Sequence, residues 1–353
     1  MCTYTATFVA KDMGSHSVVN PIIDQFEREG HNIIVAAEGI AAEYFQADGR
    51  KLAFAGTRDF RDVPFSLNCE AFLATHSPHV LTVGEGSPNN LEGEMAWAAN
   101  TLSIPVVAVD DYWGGALRIH PARPDIICTV DEYSANIPNI DFPEAKVVIT
   151  GNPGARNLTA SREVMGKVES LRRKYDNVIV FVGGGLDSTT DDIKFLTQCA
   201  ELTGGNWCLI PAFHPKARDR KLPDGKKTYR EFWSGMLAVL GDRVKYVDGR
   251  GDELVACASM VVSHRSTLMT AAAYMGKIVV SIQTSAGRKD MVGETERGKV
   301  PHVELGVAPL VKEPTDLSTF GPPNPDTVRE KIFPFDPNIA YNAIVEHLSQ
   351  RPS

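Results

Sequence analysis

A run of three glycines in this 353-residue chain has the composition of a phosphate-binding turn. Gly183–Gly185 follow the apolar run Val178–Val182 and lead towards Ser188. If a helix comes next, the glycines allow a tight turn, and the first helical turn offers N–H groups at the positive end of the helix dipole. The same segment can also form an ordinary strand–helix turn with Ser188 or Thr190 as the helix N-cap. The candidate phosphate ligands here are Gly183, Gly184, Gly185 and Ser188.

Two further segments of the same half end apolar runs with polar side chains. Ser263, Ser266 and Thr267 precede a run of small residues, so they could form a second anion site at a helix N-terminus or simply cap that helix. His214 and Lys216 follow another apolar run. A histidine can donate to a phosphate or transfer a proton near neutral pH. Because the carboxyl ends of parallel strands share one sheet edge, we expect these segments to converge.

The first half places a histidine and several acidic residues after its own apolar runs. His16 could act as a general base, with Asp12 as the carboxylate that orients it. Glu85, Asp111 and Trp113 follow later apolar runs. Carboxylates beside an aromatic ring suit a polar, ring-shaped ligand such as a sugar. Each of these residues could equally belong to a solvated loop.

The order of apolar and amphipathic segments predicts the elements that position these residues. Short β-rich runs alternate with helical patterns of about ten residues, which is typical of βαβ units on a parallel sheet. The pattern restarts near residue 178, so we predict an α/β protein with two Rossmann-like parallel-sheet domains facing across a cleft. The expected divisions are 1–152, 153–330 and a C-terminal helical segment, 331–353, that packs back on the first domain. Residues 14–20 are expected to form a loop, with a helix beginning at Pro21.

The composition argues against several classes of protein. Hydrophobic residues make up 43% and charged residues 23%, close to the average for soluble globular proteins. No apolar run approaches the ~20 residues of a membrane helix, and the first residues lack a signal-peptide pattern. Six cysteines without Cys-x-x-Cys spacing favour a reduced, cytoplasmic protein without a zinc site. A net charge of −8 argues against nucleic acid as the main partner, although the basic run 216–230 could bind a polyanion or a lipid surface locally.

In this order the segments resemble the GT-B glycosyltransferase superfamily, including its relative, the non-hydrolysing UDP-N-acetylglucosamine 2-epimerase. The stretch 14–38, GSHSVVNPIIDQFEREGHNIIVAAE, is similar to the family's opening. VVITGNPGAR, at 147–156, resembles the Gly-x-Pro that begins its linker. IPAFHPKAR, at 210–218, is similar to a His-Pro strand end of the epimerase and of polyol-phosphate transferases, and 261–281 resembles the donor-binding strand, loop and helix. The resemblance covers nearly the whole chain.

This resemblance implies roles for the candidate residues. Gly184, Gly185, Ser266 and Thr267 would hold the diphosphate of a nucleotide-sugar donor, with His214 beside it, and His16 would be the base. Family members often carry a glutamate that grips the donor ribose four residues after the serine. Thr270 stands there in this chain, so the nucleoside is held differently or is not uridine.

The activity implied first is inverting, metal-independent transfer of a sugar from a nucleotide-diphosphate sugar to an acceptor hydroxyl. No cofactor beyond that co-substrate is expected. Domain 1–152 would lie on the acceptor side, with Glu85, Asp111 and Trp113 near the acceptor, and domain 153–330 would bind the nucleotide sugar. Three alternatives stay open: a non-hydrolysing sugar-nucleotide 2-epimerase, a CDP-glycerol-type polyol-phosphate transferase and a catalytically silent binding subunit. The sequence does not specify the sugar, the acceptor or the oligomeric state.

Overall fold

The computed structural model describes residues 2–56, 65–86, 91–137, 141–214, 219–292 and 299–351. Internal contacts divide the chain into two compact units, one formed by Met1–Pro153 with Pro334–Ser353 and the other by Gly154–Phe333. Within the described residues, no helix is long and apolar enough to cross a membrane.

The first unit is built on a seven-stranded parallel sheet in the order β3-β2-β1-β4-β5-β6-β7. Its strands are Thr5–Ala10 (β1), Asn32–Glu38 (β2), Phe54–Gly56 (β3), Val80–Val83 (β4), Val106–Val109 (β5), Ile126–Thr129 (β6) and Lys146–Ile149 (β7). Its first five helices are Met13–Arg28 (α1), Gly39–Ala47 (α2), Phe65–His76 (α3), Leu91–Thr101 (α4) and Glu132–Ala135 (α5). A 3₁₀ turn covers Gly115–Ile119. The central strands β4, β5 and β6 are buried along their whole length, which explains their continuous apolar sequence.

The second unit is built on a five-stranded parallel sheet in the order β12-β11-β10-β8-β9. Its strands are Asn177–Val182 (β8), Trp207–Ala212 (β9), Met260–Ser263 (β10), Ile278–Ile282 (β11) and Leu310–Val311 (β12). Its helices are Arg162–Arg172 (α6), Leu186–Leu202 (α7), Tyr229–Leu237 (α8), Gly251–Cys257 (α9), Thr267–Tyr274 (α10), Ser285–Val292 (α11), Pro301–Glu304 (α12) and Pro325–Lys331 (α13). The final helix, Pro337–Gln350 (α14), belongs to the first unit, in which it packs on α1. The predicted α/β class with two parallel sheets is confirmed.

Each sheet has one point at which the strand order reverses. This switch point lies between β1 and β4 in the first sheet and between β8 and β10 in the second. The chain leaves the two strands at such a point towards opposite faces of the sheet, and the crevice between them is where open α/β sheets bind ligands. Asp12 and Glu85 follow β1 and β4, and Gly184 and His264 follow β8 and β10.

The N-terminus of α1 differs from the sequence prediction. The helix begins at Met13, so the predicted loop over residues 14–20 is wrong. Asp12 is its N-cap: the carboxylate accepts the Ser15 N–H at 3.0 Å, and the Ser15 hydroxyl accepts the Asp12 N–H at 3.1 Å. Such a cap stabilises a helix by about 1 kcal/mol, and here it starts the helix before Pro21, which lies inside it. The prediction failed because proline was taken as a first-turn residue.

Candidate functional site

Five acidic side chains gather at the carboxyl edge of the first sheet. They follow the ends of β1, β4 and β5 or lie in the first turn of α4, and we call them the carboxyl cluster: Asp12, Glu85, Glu92, Asp110 and Asp111. Glu85, Glu92 and Asp110 are at most 1% exposed. Burying several carboxyl groups costs free energy. Such a cluster at the switch point of a sheet is therefore a candidate functional site.

Two glycines give the cluster room. A Cβ on Gly14, in the first turn of α1, would overlap the carboxyl group of Asp111. A Cβ on Gly115 would overlap the carboxyl group of Glu85 and lie 3.0 Å from Asp110 Oδ1. Any larger residue at these two positions would therefore displace a carboxyl group of the cluster.

The environment keeps several of these acids protonated at neutral pH. Burial, and secondarily the charge of Asp110, raises the pKa of Glu85 well above its ordinary value. Burial raises the pKa of Asp111 to about 8, with Asp12 and Asp110 adding to the effect. Burial also raises the pKa of Glu92 to about 7 and that of Asp110 to about 6. At pH 7 the carboxyl cluster therefore holds neutral acids beside carboxylates.

Hydrogen bonding separates the members of the cluster into two kinds. Asp110 accepts the Ala116 N–H at 2.8 Å and the Ser134 hydroxyl at 3.1 Å, so its carboxylate also serves the local fold. By contrast, the described residues offer the carboxyl group of Glu85 only the neighbouring acid Asp110, and Oδ1 of Asp111 has no hydrogen-bond partner among them. Buried polar groups are rarely left in this state, so Glu85 and Asp111 are the members best suited to meet a ligand.

A cation lies beside the cluster. The guanidinium of Arg118 lies 4.5 Å from the centre of the Tyr112 ring. Its charge lowers the pKa of Glu85 and of Asp111, opposing the larger effect of burial. Arg118 thus limits how far the two pKa values rise.

His16 lies on α1, and the structure pairs it with a different carboxylate from the one predicted. Its Nε2 is 3.1 Å from Asp48 Oδ2, and its ring packs on Phe45 and Tyr44, with centroids 4.5 and 5.4 Å away. The prediction that Asp12 orients this ring is wrong, because Asp12 is committed to the N-cap of α1. Burial lowers the pKa of His16, while Asp48 opposes this effect. Since a carboxylate only accepts, Nε2 donates and a neutral ring keeps its lone pair on Nδ1.

Trp113 does not present its ring to a ligand. It is 5% exposed, and its indole N–H donates to Asp131 Oδ2 at 2.6 Å. Asp131 also accepts the Ser134 N–H at 2.8 Å as the N-cap of α5. The expectation of an acceptor-side ring at this position is therefore corrected, because the indole ring lies in the interior of the first unit.

In the second unit, the glycine loop leads directly into α7. Gly185 is the N-cap and, having no side chain, makes no cap hydrogen bond to the first-turn N–H groups. Ser188 is not the cap: it is buried, and its hydroxyl donates back to the Gly185 carbonyl at 3.3 Å. The first-turn N–H groups of α7 are thus available to an anion.

The hydroxyl groups after β10 divide between the interior and a helix N-terminus. Ser263 is buried and donates to the Val182 carbonyl at 2.7 Å, which ties β10 to β8. Ser266 is the N-cap of α10, accepting the Leu268 N–H at 3.3 Å, and Thr267 is exposed in the first turn. Ser266 and Thr267 keep the predicted position at a helix N-terminus, whereas the hydroxyl of Ser263 supports the sheet.

Three further positions of this unit that the sequence singled out are His214, Lys216 and Thr270. His214 is exposed just after β9. Lys216 lies outside the described residues. Thr270, which stands at the position of the family's ribose-binding glutamate, is buried, and its hydroxyl lies 3.0 Å from His302 Nε2. The side chain at this position therefore points into the interior of the unit.

A buried histidine–aspartate pair was missed by the sequence reasoning. His264 follows β10 at the switch point, and its Nδ1 lies 2.8 Å from Asp192 Oδ2 of α7. Thr284 donates its hydroxyl to the other oxygen of Asp192 at 2.9 Å. The strand-end position of His264 could have been recognised by the rule that singled out His214. Its pairing with Asp192 has no local signal, because 72 residues separate the two.

Comparison with known proteins shows the fold. No family model and no curated protein matches the sequence. Among solved structures, a putative UDP-N-acetylglucosamine 2-epimerase from Listeria monocytogenes has a TM-score of 0.66 at 12% identity, over 99% of this chain and 98% of that one. MnaA from S. aureus, solved with UDP, has 0.64 at 13% identity, over 99% of both chains. A glycosyltransferase from Rickettsia africae has 0.57 at 12% identity, over 99% of both. The chain therefore has the GT-B fold that the sequence resemblance predicted.

Proposed function

We propose that this chain is an enzyme that acts on a nucleotide-diphosphate sugar, and that the carboxyl cluster transfers protons on the sugar as in an epimerase. The observation that carries the proposal is the pair of buried carboxyl groups, Glu85 and Asp111: Glu85 meets only the neighbouring acid Asp110, and Oδ1 of Asp111 has no hydrogen-bond partner among the described residues. The similarity in fold to UDP-N-acetylglucosamine 2-epimerases supports it.

Inversion of a sugar carbon needs both an acid and a base. One C–H bond breaks on one face of the ring while its electron pair expels the diphosphate from the neighbouring anomeric carbon. When the diphosphate adds back, a new C–H bond forms on the opposite face, so one group accepts a proton and a second group returns one. Groups whose pKa values lie near the working pH do this best. The raised pKa values of Glu85 and of Asp111, about 8 for the latter, place neutral acids beside the carboxylate of Asp110.

The second unit would hold the diphosphate without a metal ion. The first-turn N–H groups of α7, after Gly183–Gly185, and the N-terminus of α10 at Ser266 and Thr267 offer donors at positive dipole ends. Preorganised donors of this kind stabilise the charge that develops when a bond to phosphate breaks.

The decisive experiment is incubation in deuterium oxide with UDP-N-acetylglucosamine or another nucleotide sugar that binds, and with no acceptor. An epimerase incorporates deuterium at the inverted carbon, which NMR detects directly. We expect Glu85→Gln and Asp111→Asn to slow this exchange by about 10²–10⁴-fold, the range typical of a lost acid or base. Asp326→Asn, at an exposed carboxylate of α13, is the matched control and should exchange normally. Binding of the nucleotide sugar without any exchange contradicts the epimerase assignment.

Glycosyl transfer is the second candidate, and the His16–Asp48 pair favours it. A neutral imidazole oriented by a carboxylate is suited to deprotonate an acceptor hydroxyl as it attacks the anomeric carbon. This function predicts that nucleoside diphosphate is released only when an acceptor is added. His16→Ala should then abolish transfer while leaving nucleotide binding intact; a variant with full turnover would exclude His16 as the base.

A further inference from the structure

Two polar atoms of the second unit are buried beside the glycine loop without a hydrogen-bond partner among the described residues. They are Nε2 of His264 and Oγ1 of Thr189. The two residues are 2% and 0% exposed. Buried polar groups are almost always satisfied by protein, water or a ligand, so two such atoms in one place call for an explanation.

Both atoms lie against the same turn. A Cβ on Gly183 would lie 3.0 Å from Thr189 Oγ1. A Cβ on Gly184 would overlap the His264 ring at Cε1 and lie 3.3 Å from its Nε2. The glycine loop is therefore shaped around these two side chains, at the switch point between β8 and β10.

The His264 ring is held by one hydrogen bond and by packing. Asp192 of α7 binds Nδ1 at 2.8 Å, and Thr284 fixes Asp192 from the other side at 2.9 Å. The backbone of Gly287, in α11, packs on the ring, since a Cβ there would lie 3.3 Å from Cβ and Cγ of His264. Such a ring keeps its orientation without a ligand.

This arrangement sets what Nε2 can do. Because the Asp192 carboxylate accepts from Nδ1–H, Nε2 carries a lone pair in the neutral ring and becomes a donor only in the imidazolium form. Among the described residues, Asp192 is the acidic group in contact with the ring, 2.8 Å from Nδ1. From the other elements packed on the ring, β11 contributes the Ser281 hydroxyl, which donates to the His264 carbonyl, while Arg288 and Lys289 of α11 are exposed.

We propose that His264, protonated and held by Asp192, binds a phosphate group at the glycine loop together with the Thr189 hydroxyl and the first-turn N–H groups of α7. Asp192 and Thr284 are positioning residues. The inference rests on the proposed function for the identity of the ligand, which is the diphosphate of a nucleotide sugar. A charged donor there would also stabilise the diphosphate as its bond to the sugar breaks.

Calorimetry with inorganic pyrophosphate and with UDP, in two buffers of different ionisation enthalpy, tests the proposal. The wild-type protein should take up more protons on binding than His264→Gln, by up to one per ligand, and the comparison removes the ligand's own protonation. His264→Gln should bind at least ten-fold more weakly. Asp192→Asn should show the same reduced proton uptake, a readout that loss of packing would not produce. His76→Gln, at an exposed histidine of α3, is the control and should match the wild type.

The outcomes separate this inference from the proposed function. Equal affinity and equal proton uptake in the wild type and His264→Gln overturn the inference. If His264→Gln does not fold, Asp192→Asn and Thr284→Val carry the test, and wild-type behaviour in both overturns it. In the folded wild type, an unchanged set of histidine-ring NMR signals on addition of pyrophosphate also overturns it. Pyrophosphate binding that depends on His264, without deuterium exchange on any nucleotide sugar, would instead contradict the proposed epimerase reaction alone.

Discussion

At the scale of single residues, the carboxyl cluster opposes stability at neutral pH. In the unfolded chain Glu92, Asp110 and Asp111 lose their protons near pH 4, whereas the folded protein holds them until about pH 6 to 8. The unfolded state therefore binds fewer protons across this window, and the free energy of unfolding falls as pH rises from about 4 towards 8. A cluster retained against this effect is easier to understand as functional than as structural.

Glu92→Gln isolates one member of the cluster. Its pKa is raised to about 7, and the carboxylate accepts the Gly86 N–H at 3.1 Å, a bond that the amide oxygen of glutamine can keep. Relative to the wild type, the variant should gain on the order of 1–3 kcal/mol more stability at pH 8 than at pH 5. Urea unfolding at both pH values measures this gain. If the variant and the wild type differ in unfolding free energy by the same amount at pH 5 and at pH 8, Glu92 ionises normally in the folded protein.

At the scale of elements, the residue at which helix α1 begins decides which side chains fit beside the carboxyl cluster. The N-cap at Asp12 brings Gly14 into the first turn, and this glycine is needed because Asp111 occupies the space a side chain would take. The glycine of α6, Gly166, is exposed and has no atom within 4 Å of an added Cβ. Two helical glycines in one chain thus differ only in what surrounds them.

Alanine at each of these glycines gives opposite results. Gly166→Ala should stabilise the protein by about 0.5–1 kcal/mol, because alanine is the better helix former. Gly14→Ala should destabilise it by about 1–3 kcal/mol, because the methyl group displaces Asp111. It should also reduce deuterium exchange into the nucleotide sugar. Thermal unfolding and the exchange assay measure both effects, and a stabilised, active Gly14→Ala would mean that Asp111 lies elsewhere.

At the scale of the whole molecule, each unit carries its candidate residues at the switch point of its own sheet. The same topological rule therefore accounts for the carboxyl cluster in one unit and the glycine loop in the other. The side chain of Thr270 is internal, with its hydroxyl 3.0 Å from His302 Nε2.

A thermal-shift screen of the diphosphates of uridine, cytidine, guanosine, adenosine and thymidine should identify the nucleotide. A ligand at 100 times its dissociation constant stabilises by about 2.7 kcal/mol, which is readily visible. We expect one or more diphosphates to stabilise the protein, and the parent nucleosides to have little effect at the same concentration. Selective stabilisation by the cytidine compound would favour the polyol-phosphate transferase, and no stabilisation by any of them would favour the silent binding subunit.

The sequence by itself determined the class of fold and the sheet edge at which the candidate residues lie. Strand and helix patterns are local, so the alternation of elements, the glycine loop after β8 and the hydroxyl groups before α10 were predictable from residue order. The local signal was ambiguous at Pro21. There the N-cap at Asp12 decided where helix α1 begins.

Only the tertiary structure decided which side chains meet and in which protonation state. It placed Asp48 rather than Asp12 on His16, turned Trp113 into the interior and joined His264 to Asp192 across 72 residues. Such contacts depend on how helices pack on the sheet, which spacing along the chain does not encode. The raised pKa values of Glu85, Glu92 and Asp111 are due chiefly to burial, and burial is a property of the folded molecule.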